Sequence, residues 1–363
     1  MDTQDGEELC FPQLFNISCK KPTTPLSQLL LPYIVVFSMS LLTVILNLLV
    51  IIAVSHFRQL HTPTNFLLLS LAVSDFFIGL LLMPANIIRK KVCWFLGQLA
   101  CLVFTYVSFI ITSASVGIMV LISVDRYAAI CDPLHYPTRI TRERVKLCVC
   151  LCWLCSVIYN ILLIKDELVQ PGQHNSCYGE CKILVDYIAG TTDIVLTFIA
   201  PVTVIIVLYM RVFVVAVSQA RAMRSQVTAV TLQLSVTLTT KKSELKAART
   251  LGVLVLVFLI CFCPHYCIFV FGGKVLNSSS ATIVIYLYYF NSCLNPLIYA
   301  MFYPWFRKAK KEISFKNIFM GNTKQAEDKI FSVTLRELLI YKRNDRDCKL
   351  LLSILIKGQG TAF

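Results

Sequence analysis

Charged residues are scarce in this sequence. Asp, Glu, Lys and Arg make up only 15% of its 363 residues, whereas hydrophobic residues make up 57%. Soluble globular domains carry about 25% charged residues. A chain with so few charges cannot cover its apolar side chains in water, so we expect it to fold in lipid. The net charge of +14 is then explained by basic loops on the cytoplasmic side, and no nucleic-acid partner is expected.

Other features are missing as well. No signal peptide is expected, because the first 28 residues are polar and the first apolar run is too long for a signal sequence. Most of the 16 cysteines lie inside apolar runs, where a free thiol behaves as a small hydrophobic group. No CxxC pair recurs with histidines at zinc-site spacing, and no nucleophile–base or metal constellation is present, so an enzyme is not expected.

Seven apolar runs are long enough to cross a bilayer, since about 20 helical residues span roughly 30 Å of hydrocarbon. Each run is bounded by polar or charged residues. The sequence therefore predicts an all-α membrane protein, a seven-transmembrane helix bundle over residues 29–302. The runs are Leu29–Ser55, Pro63–Ile88, Gly97–Ile130, Val145–Ile164, Tyr187–Gln219, Ala247–Phe271 and Ala281–Met301.

Basic residues in the loops predict the orientation, because Lys and Arg concentrate on the cytoplasmic side. Most follow the first, third, fifth and seventh runs, although Arg89, Lys90 and Lys91 are exceptions. We therefore expect a multi-pass protein of the plasma membrane with the N-terminal tail, residues 1–28, outside. The sequons at Asn16 and Asn277 then both lie outside, where glycan can be attached.

Among the ionisable residues within the apolar runs, four are singled out as candidates for function. A charge at mid-span costs at least ~2.5–3.5 kcal/mol on insertion scales, so each is a candidate functional residue. They are Asp75 in the second run, Arg126 at the inner end of the third, Asp193 in the outer half of the fifth and His265 in the sixth.

One motif in each run completes a family pattern. The motifs are Asn47, LAVSD with Asp75, Asp125-Arg126-Tyr127, Trp153, Pro201, Pro264 and Asn295-Pro296-Leu297-Ile298-Tyr299. This set resembles the rhodopsin-like G-protein-coupled receptors. The segment Asn291–Phe306 and the motif CDPLHYPTRIT are similar to the trace amine-associated receptors. The resemblance is to a fish branch of that family, in which the acidic amine site lies on the fifth helix.

The resemblance implies an activation switch at the inner end of the bundle, where Arg126 pairs with Glu244 in the inactive state. Glu244 lies twenty residues before Pro264, about 30 Å along a helix, which places it level with Arg126. The alternative is a surface charge pair contributing only ~0–1 kcal/mol. The implied switch residues are Asp125, Arg126, Tyr127, Glu244, Tyr209 and Tyr299.

A sodium site in the middle of the bundle is also implied by the resemblance. Its residues carry oxygen atoms, which suit a hard cation. A water-filled polar network is the alternative. The residues are Asp75, Ser115, Asn291, Ser292 and Asn295.

Two disulfides are implied on the outer side, which faces an oxidising compartment. The resemblance pairs Cys101 with Cys181 and Cys19 with Cys177, with Cys10 as the rival of Cys19 for the second bond.

On the inner side, the resemblance implies that Leu134 inserts into a groove of a stimulatory G protein, with arrestin as a further partner. Residues 303–318 contain Trp305-Phe306 followed by a basic run, which predicts a short amphipathic helix on the inner leaflet after the seventh span. Residues 319–363 do not resemble the family's C-terminal tail. We expect them to form a disordered or atypical cytoplasmic segment.

The ligand site departs from the usual amine-receptor pattern. The aspartate that such receptors carry on the third helix is replaced by Ser108, which cannot neutralise an ammonium group. Asp193 lies eight residues before Pro201, about 12 Å toward the outside, on the opposite wall. We expect Asp193 to bind the ligand ammonium. The alternatives are an aspartate that is hydrogen-bonded to its neighbours Thr191 and Thr192, or one that is exposed to a wide vestibule.

Aromatic residues are expected to line this pocket, since aromatic faces suit a cation, although ordinary packing is an equal alternative for each one. Phe262 stands where the family usually carries a tryptophan that acts as a rotamer toggle, so ligand-driven activation could use a different trigger. His265 replaces a common phenylalanine. The expected lining residues are Ser108, Phe109, Thr112, Phe262, His265, Tyr266 and Tyr289.

Together these features predict an amine-sensing receptor, olfactory by resemblance, that raises cyclic AMP through a stimulatory G protein. The alternative is a receptor of the same fold for a non-amine or biogenic-amine neurotransmitter ligand. An opsin is excluded because Ala281–Met301 has no lysine for a Schiff base. A transporter is not favoured because inverted repeats and broken, glycine-rich helices are not seen.

Overall fold

The structure is a computed structural model that describes residues 9–14, 16–20, 26–86, 93–170, 177–181, 185–227, 252–253, 255–268 and 278–302. Seven helices in these ranges match the seven predicted runs in order. Five of them are long and apolar enough to cross a membrane, and the described parts of the sixth and seventh are shorter apolar helices. The helices are Leu26–His56, Pro63–Asn86, Gly97–Cys131, Arg142–Leu163, Tyr187–Val227 in three sections, Val255–Ile268 and Ser278–Phe302.

Short elements connect these helices. The turns Pro12–Leu14 and Arg58–Leu60 are 3-10 helices, and Tyr136–Arg139 and Lys165–Val169 are short α-helices. The predicted ends of the sixth helix, the amphipathic helix over 303–318 and the tail 319–363 lie outside the described residues. The all-helical class agrees with the prediction.

Polar side chains begin three of the helices. Thr62 accepts a hydrogen bond from the Asn65 backbone amide at 3.3 Å, ahead of Pro63 at the first helical position. Thr141 caps the fourth helix in the same way, and the Asp186 carboxylate accepts from the Ile188 amide at 3.1 Å at the start of the fifth. These caps satisfy amides that have no partner within the helix. Thr141 explains why the fourth helix begins three residues before the apolar run.

The third helix lies at the centre of the described bundle and packs against the second, fourth and fifth helices. It is 35 residues long, so it extends about 52 Å and exceeds the hydrocarbon thickness at both ends. This length places Cys101 near one end of the helix and Arg126 near the other, and we name these the outer and inner ends after the predicted orientation. The first helix packs on the second and seventh.

Two helices contain a five-residue π turn shortly before a proline. One is Ile78–Leu82, before Pro84, and the other is Val195–Ile199, before Pro201. A π turn widens the helix locally and changes the direction of the residues beyond it. Asp193 lies just ahead of the second π turn, so its direction could not be read from a regular helical period.

Large apolar side chains on the first, fourth and fifth helices face outward. Leu31, Phe37, Leu162 and Phe213 are each more than 60% exposed. In water such a surface would be unfavourable, whereas lipid solvates it. The buried core lies between the helices and includes Leu71, Met119, Ile205 and Phe258.

Candidate functional site

Asp193 is half-buried in the outer half of the fifth helix. Its Oδ1 accepts a hydrogen bond from the Tyr159 hydroxyl of the fourth helix at 3.0 Å. The Thr191 and Thr192 hydroxyls instead donate to backbone carbonyls one turn back, both at 2.8 Å. The expected alternative, in which these threonines satisfy the carboxylate, is therefore not what the structure shows.

No basic side chain among the described residues lies within 4 Å of the Asp193 carboxylate. The Thr197 hydroxyl donates to the Asp193 backbone carbonyl at 2.7 Å. Tyr266 of the sixth helix is close enough to interact electrostatically with Asp193, and its ring stacks on Phe198 at a centroid distance of 4.2 Å. An acidic group thus stands beside an aromatic wall.

Below this wall, aromatic rings from the sixth and seventh helices form a packed floor. Phe262 contacts Phe258 at 4.3 Å and Tyr288 at 4.8 Å between ring centroids, and His265 lies 4.7 Å from Tyr288. The Tyr288 and Thr112 hydroxyls are hydrogen-bonded at 2.7 Å, which joins the seventh helix to the third. Phe262 is thus packed among rings in the position of the missing tryptophan.

The remaining predicted lining residues lie around these groups. The Ser108 hydroxyl donates to the Phe104 carbonyl of its own helix at 2.7 Å. Phe109 is half-buried on the third helix. Tyr289 is buried and accepts a hydrogen bond from the Asn86 side-chain amide of the second helix.

Sequence reasoning did not identify Tyr159, Phe198, Tyr288 or Asn86. Tyr288 adjoins the predicted Tyr289, and either could have been assigned to the pocket from helical position. Phe198 lies within a π turn, where the regular period fails. The sequence shows Tyr159 only as a tyrosine within an apolar run. Its contact with Asp193 could not be predicted, because it depends on how the fourth and fifth helices are rotated.

A second polar group lies deeper, around Asp75. Asp75 is fully buried, and its Oδ2 accepts from the Asn295 side-chain amide at 2.8 Å. Asn47 joins the first helix to this group by donating to the Ser292 carbonyl at 3.0 Å. The remaining predicted members, Ser115 and Asn291, are each 2% exposed.

Several buried oxygens of this group have no hydrogen-bond donor within the described chain. They are Oδ1 of Asp75, Asn47, Asn291 and Asn295. Buried acceptors without a donor are costly, and hard oxygen atoms beside a carboxylate are a donor set that suits a small cation or water. The residues present therefore fit the predicted sodium ion.

At the inner end, Asp125 and Arg126 form a buried charged pair. The Arg126 Nε donates to Asp125 Oδ2 at 2.9 Å, and Arg126 also contacts Thr64. Asp125 is 2% exposed and accepts further hydrogen bonds from Thr64 at 2.9 Å and Tyr136 at 2.8 Å. This carboxylate therefore joins the second helix, the third helix and the inner loop.

Tyr136 lies in that loop, outside the spans. Burial raises the pKa of its phenol, and the nearby Asp125 carboxylate raises it further. The hydroxyl therefore keeps its proton at neutral pH and remains a donor to Asp125. Tyr136 is the tyrosine of the motif CDPLHYPTRIT, and in the sequence alone this motif indicates only the family.

The other predicted switch residues are only partly described. Tyr127 packs with Ile130 and Val212 at the contact of the third and fifth helices. The Tyr209 ring lies beside Gly252 of the sixth helix, where a Cβ atom in place of the glycine hydrogen would lie 3.8 Å from the ring. Glu244, Asn277 and the Tyr299 side chain lie outside the described residues.

The second inner loop presents Leu134 to solvent, with 87% of its surface exposed. Asp132 pairs with His135 at 2.7 Å and Arg139 at 3.2 Å. The hydrogen bond from His135, with the nearby Arg139 guanidinium, lowers the pKa of Asp132. The loop around Leu134 is thus held by these side-chain contacts, while its apolar tip remains uncovered.

Three disulfides join the outer segments. Cys101 is bonded to Cys181 and Cys19 to Cys177, which are the two pairs that the resemblance implied. Cys10 is bonded to Cys93. The alternative bond between Cys10 and Cys177 is not formed, because Cys10 has a partner of its own just before the third helix.

Backbone hydrogen bonds complete this outer cap, formed by residues 9–14, 16–20, 93–97 and 177–181. Cys19 donates to the Tyr178 carbonyl at 2.9 Å, and Trp94 donates to the Gly179 carbonyl at 2.8 Å. Gly179 has a φ of 105°, and a Cβ there would lie 3.0 Å from the Phe11 ring, so this position favours glycine. Asn16 within the cap is exposed.

Comparisons with known proteins agree with this arrangement. The family described as 7 transmembrane receptor (rhodopsin family) matches residues 46–299. Trace amine-associated receptor 1 of Mus musculus is 36% identical over 297 residues, covering 79% of this chain and 89% of the relative. Trace amine-associated receptor 13c of Danio rerio is 35% identical over 335 residues, covering 88% and 95%. The chain is a member of the trace amine-associated receptor family.

Membership confirms the predicted family and the seven-transmembrane class, and it makes this chain a receptor rather than an enzyme. A further relative, trace amine-associated receptor 7e of Mus musculus, is 37% identical over 315 residues, covering 84% of this chain and 87% of the relative. The match to the family model extends from within the first helix to within the seventh. The receptor is therefore a multi-pass membrane protein throughout residues 46–299.

Proposed function

We propose that this receptor senses amines and that Asp193 binds the ligand's ammonium group. The observation that carries the proposal is a half-buried carboxylate with a hydroxyl partner, Tyr159, and no basic partner among the described residues. Alkyl amines resemble the lysine side chain and are protonated at neutral pH. A partly desolvated carboxylate is unfavourable unless it is paired, so a cationic ligand supplies what the site lacks.

The surrounding residues suit the rest of such a ligand. Phe198 and Tyr266 provide stacked aromatic faces beside Asp193. A cation near an aromatic face gains ~0.5–2 kcal/mol, depending on how far it is desolvated. Ser108 contributes no charge on the opposite wall, so the ammonium group is directed to the fifth helix.

We assign signalling to a heterotrimeric G protein of the stimulatory type, with cyclic AMP as the readout, an olfactory role and arrestin as a further partner. The supports are the family, the exposed Leu134 of the second inner loop, and the buried Asp125–Arg126 pair next to it. The disulfide-bonded cap and the exposed sequon at Asn16 favour an extracellular N-terminus, because both need the oxidising side of the plasma membrane.

The test is a cyclic AMP assay with a panel of alkyl, aryl and polyamines on the wild type and Asp193→Asn. The variant keeps the shape of the side chain and removes its charge. We expect the EC50 of active amines to rise roughly 10- to 150-fold, which corresponds to losing a charge-assisted interaction of 1.5–3 kcal/mol.

Asp186→Asn is the matched control. Asp186 is an exposed carboxylate at the start of the same helix, and asparagine caps a helix as well as aspartate does. Its EC50 values should stay within about twofold of the wild type, because surface substitutions of this kind have small effects. Unchanged potency in Asp193→Asn would exclude the anchor. A surface-expressed wild type that ignores every amine would favour a non-amine ligand.

We also propose that the cluster of Asp75, Ser115, Asn291, Ser292 and Asn295 binds a sodium ion. The buried oxygens without donors support this assignment. A bound ion would neutralise the buried carboxylate and tie the second helix to the seventh.

Replacing KCl with NaCl should therefore stabilise the purified receptor against heat. An ion that binds only the folded state raises the unfolding temperature by about 2–4 °C for each kcal/mol of binding free energy. Asp75→Asn should remove this difference between the two salts. Ser74→Ala is the control, since the buried Ser74 hydroxyl donates to the Ser70 carbonyl of its own helix. An equal sodium effect in Asp75→Asn would contradict the site.

A further inference from the structure

Tyr159 is fixed in place by the contacts on either side of it along the fourth helix. Its neighbour Asn160 donates to the Ser113 hydroxyl of the third helix at 2.9 Å. Two residues earlier, the Val157 carbonyl accepts from the Tyr106 hydroxyl at 3.2 Å. The fourth helix is therefore held against the third at the level where Tyr159 reaches across to Asp193. Its hydroxyl thus has a defined position.

The hydrogens at this contact can be counted. A phenol has one hydrogen, and Tyr159 gives it to Asp193 Oδ1. The Thr197 hydroxyl donates to the Asp193 backbone carbonyl at 2.7 Å and is also a hydrogen-bonding neighbour of the carboxylate. The remaining lone pairs of the carboxylate and a lone pair on the Tyr159 oxygen can then meet a ligand. Both are acceptors, and donating to a carboxylate makes the phenol oxygen a better acceptor.

We propose that Tyr159 and Asp193 together form a two-acceptor site that selects amines by the number of their N–H groups. This inference rests on the proposed role of Asp193 as the anchor. A primary or secondary ammonium has at least two N–H donors and can bind both oxygens. A tertiary ammonium can bind one, and a quaternary ammonium can bind neither. Leaving an acceptor unpaired in a desolvated site is costly, so binding weakens with the second methyl group on the nitrogen and again with the third.

The charge of the ligand alone does not account for such a preference. All members of a methylation series carry one positive charge at neutral pH, and the aromatic faces of Phe198 and Tyr266 accept a methylated ammonium as well as a bare one. A preference for N–H donors therefore comes from the two oxygens. Tyr159 acts as a specificity-determining residue at the anchor.

The experiment uses hexylamine, N-methylhexylamine, N,N-dimethylhexylamine and N,N,N-trimethylhexylammonium on cells expressing the full-length receptor. Surface level is measured by an extracellular epitope tag. For the wild type we expect the EC50 to be at least about tenfold higher for the dimethyl than for the primary amine, since one hydrogen bond to a charged group is lost. In Tyr159→Phe this ratio should fall below about threefold, because the phenol acceptor is gone and the Oδ1 lone pair that it occupied then faces the phenylalanine ring of the fourth helix.

Tyr106→Phe is the matched control. It removes a phenol hydrogen bond from the neighbouring contact, between the third and fourth helices, without touching Asp193. Its dimethyl-to-primary ratio should equal that of the wild type, even if all potencies shift together. Tyr159→Trp is a second test should Tyr159→Phe fail to reach the surface, because an indole N–H can donate to Oδ1 but offers no acceptor. Its ratio should also fall.

Each outcome decides one of the two proposals. If Asp193→Asn reduces potency but Tyr159→Phe shifts all four amines equally, the two-acceptor site is overturned and the anchor stands. A wild type that responds equally to all four amines likewise overturns selection by N–H groups. If Asp193→Asn leaves every EC50 unchanged, the anchor itself is wrong, and the selectivity proposal is overturned with it.

Discussion

Replacing Arg126 with alanine is expected to abolish ligand-stimulated cyclic AMP production while leaving the receptor at the cell surface. Arg126 is held by Asp125 and Thr64 within a nearly buried group at the inner end of the third helix. In the proposed mechanism, activation frees this guanidinium toward the G protein. Its planar fork forms paired hydrogen bonds that alanine cannot replace. We expect the maximal response to fall at least about 100-fold, as when a buried, charge-assisted contact is removed from an interface.

Two variants separate this role from a general loss of charge. Arg126→Lys keeps the charge but loses the planar fork, so it should recover only part of the response. Arg144→Ala removes an exposed arginine whose guanidinium binds the Thr138 and Arg139 carbonyls of the same inner loop, and it should leave signalling nearly intact. A full response from Arg126→Ala at equal surface level would mean that Arg126 takes no part in coupling.

Substituting Asp125, the acidic member of the same pair, should change basal signalling in the opposite direction. Asp125→Asn removes the anion that restrains Arg126 but retains an acceptor for the Thr64 and Tyr136 hydroxyls. If the pair favours the inactive state by about 1.5–3 kcal/mol, its loss shifts the equilibrium toward the active state by tenfold or more. Basal cyclic AMP should therefore rise in Asp125→Asn and fall in Arg126→Ala, which a shared folding defect cannot produce.

Membrane thickness made the fold predictable. A crossing helix has a minimum length and an apolar composition, and seven stretches meet both conditions. Helix ends were less predictable, because a cap such as Thr141 extends the helix beyond the apolar run. Residues that must be charged in an apolar span also stood out, so Asp75, Asp193 and Arg126 were identified from their cost alone.

Partners across helices were not predictable in the same way. Whether Tyr159 meets Asp193 depends on the rotation of two helices and on the π turn Val195–Ile199, and neither has a signature in a single sequence. Tyr136 was missed for a similar reason, since its contact with Asp125 depends on the fold of a loop. The sequence thus identifies which charge needs a partner, whereas the structure identifies the partner.

The cysteines illustrate both sides of this limit. Five of them lie outside the spans on the outer side, and a sixth, Cys101, is in the first turns of the third helix. Six cysteines on one side allow three bonds, so their number could have indicated a bond beyond the two that were expected. The number alone could not have paired Cys10 with Cys93, because that bond depends on the path of residues 9–14 beside the outer loops.

Loss of the Cys101–Cys181 bond should have the second large effect. Cys101 is fully buried, Cys181 is nearly so, and both pack with Trp94 where the third helix begins. We expect Cys101→Ser and Cys181→Ser to leave almost no receptor at the surface. Removing a native disulfide typically costs 2–5 kcal/mol, a large share of a domain's total stability of 5–15 kcal/mol.

The other two bonds provide controls, because one closes a loop of similar length and the other closes a loop about twice as long. Cys101 and Cys181 are 80 residues apart, Cys10 and Cys93 are 83 apart, and Cys19 and Cys177 are 158 apart. If each bond acted only by restricting the unfolded chain, the double variant Cys10→Ser/Cys93→Ser would lose about as much surface receptor as Cys101→Ser, and Cys19→Ser/Cys177→Ser would lose slightly more.

The structure favours a different order. The Cys10 and Cys19 bonds attach the segments 9–14 and 16–20 to Cys93 and Cys177, whereas the Cys101 bond joins Cys181 to the central helix itself. We therefore expect near-normal surface levels when either of the first two bonds is removed. Surface labelling of three double variants, one for each bond and including Cys101→Ser/Cys181→Ser, distinguishes chain restriction from burial as the main source of stability. Equal losses in all three would show that chain restriction, rather than burial at the third helix, determines how much each bond contributes.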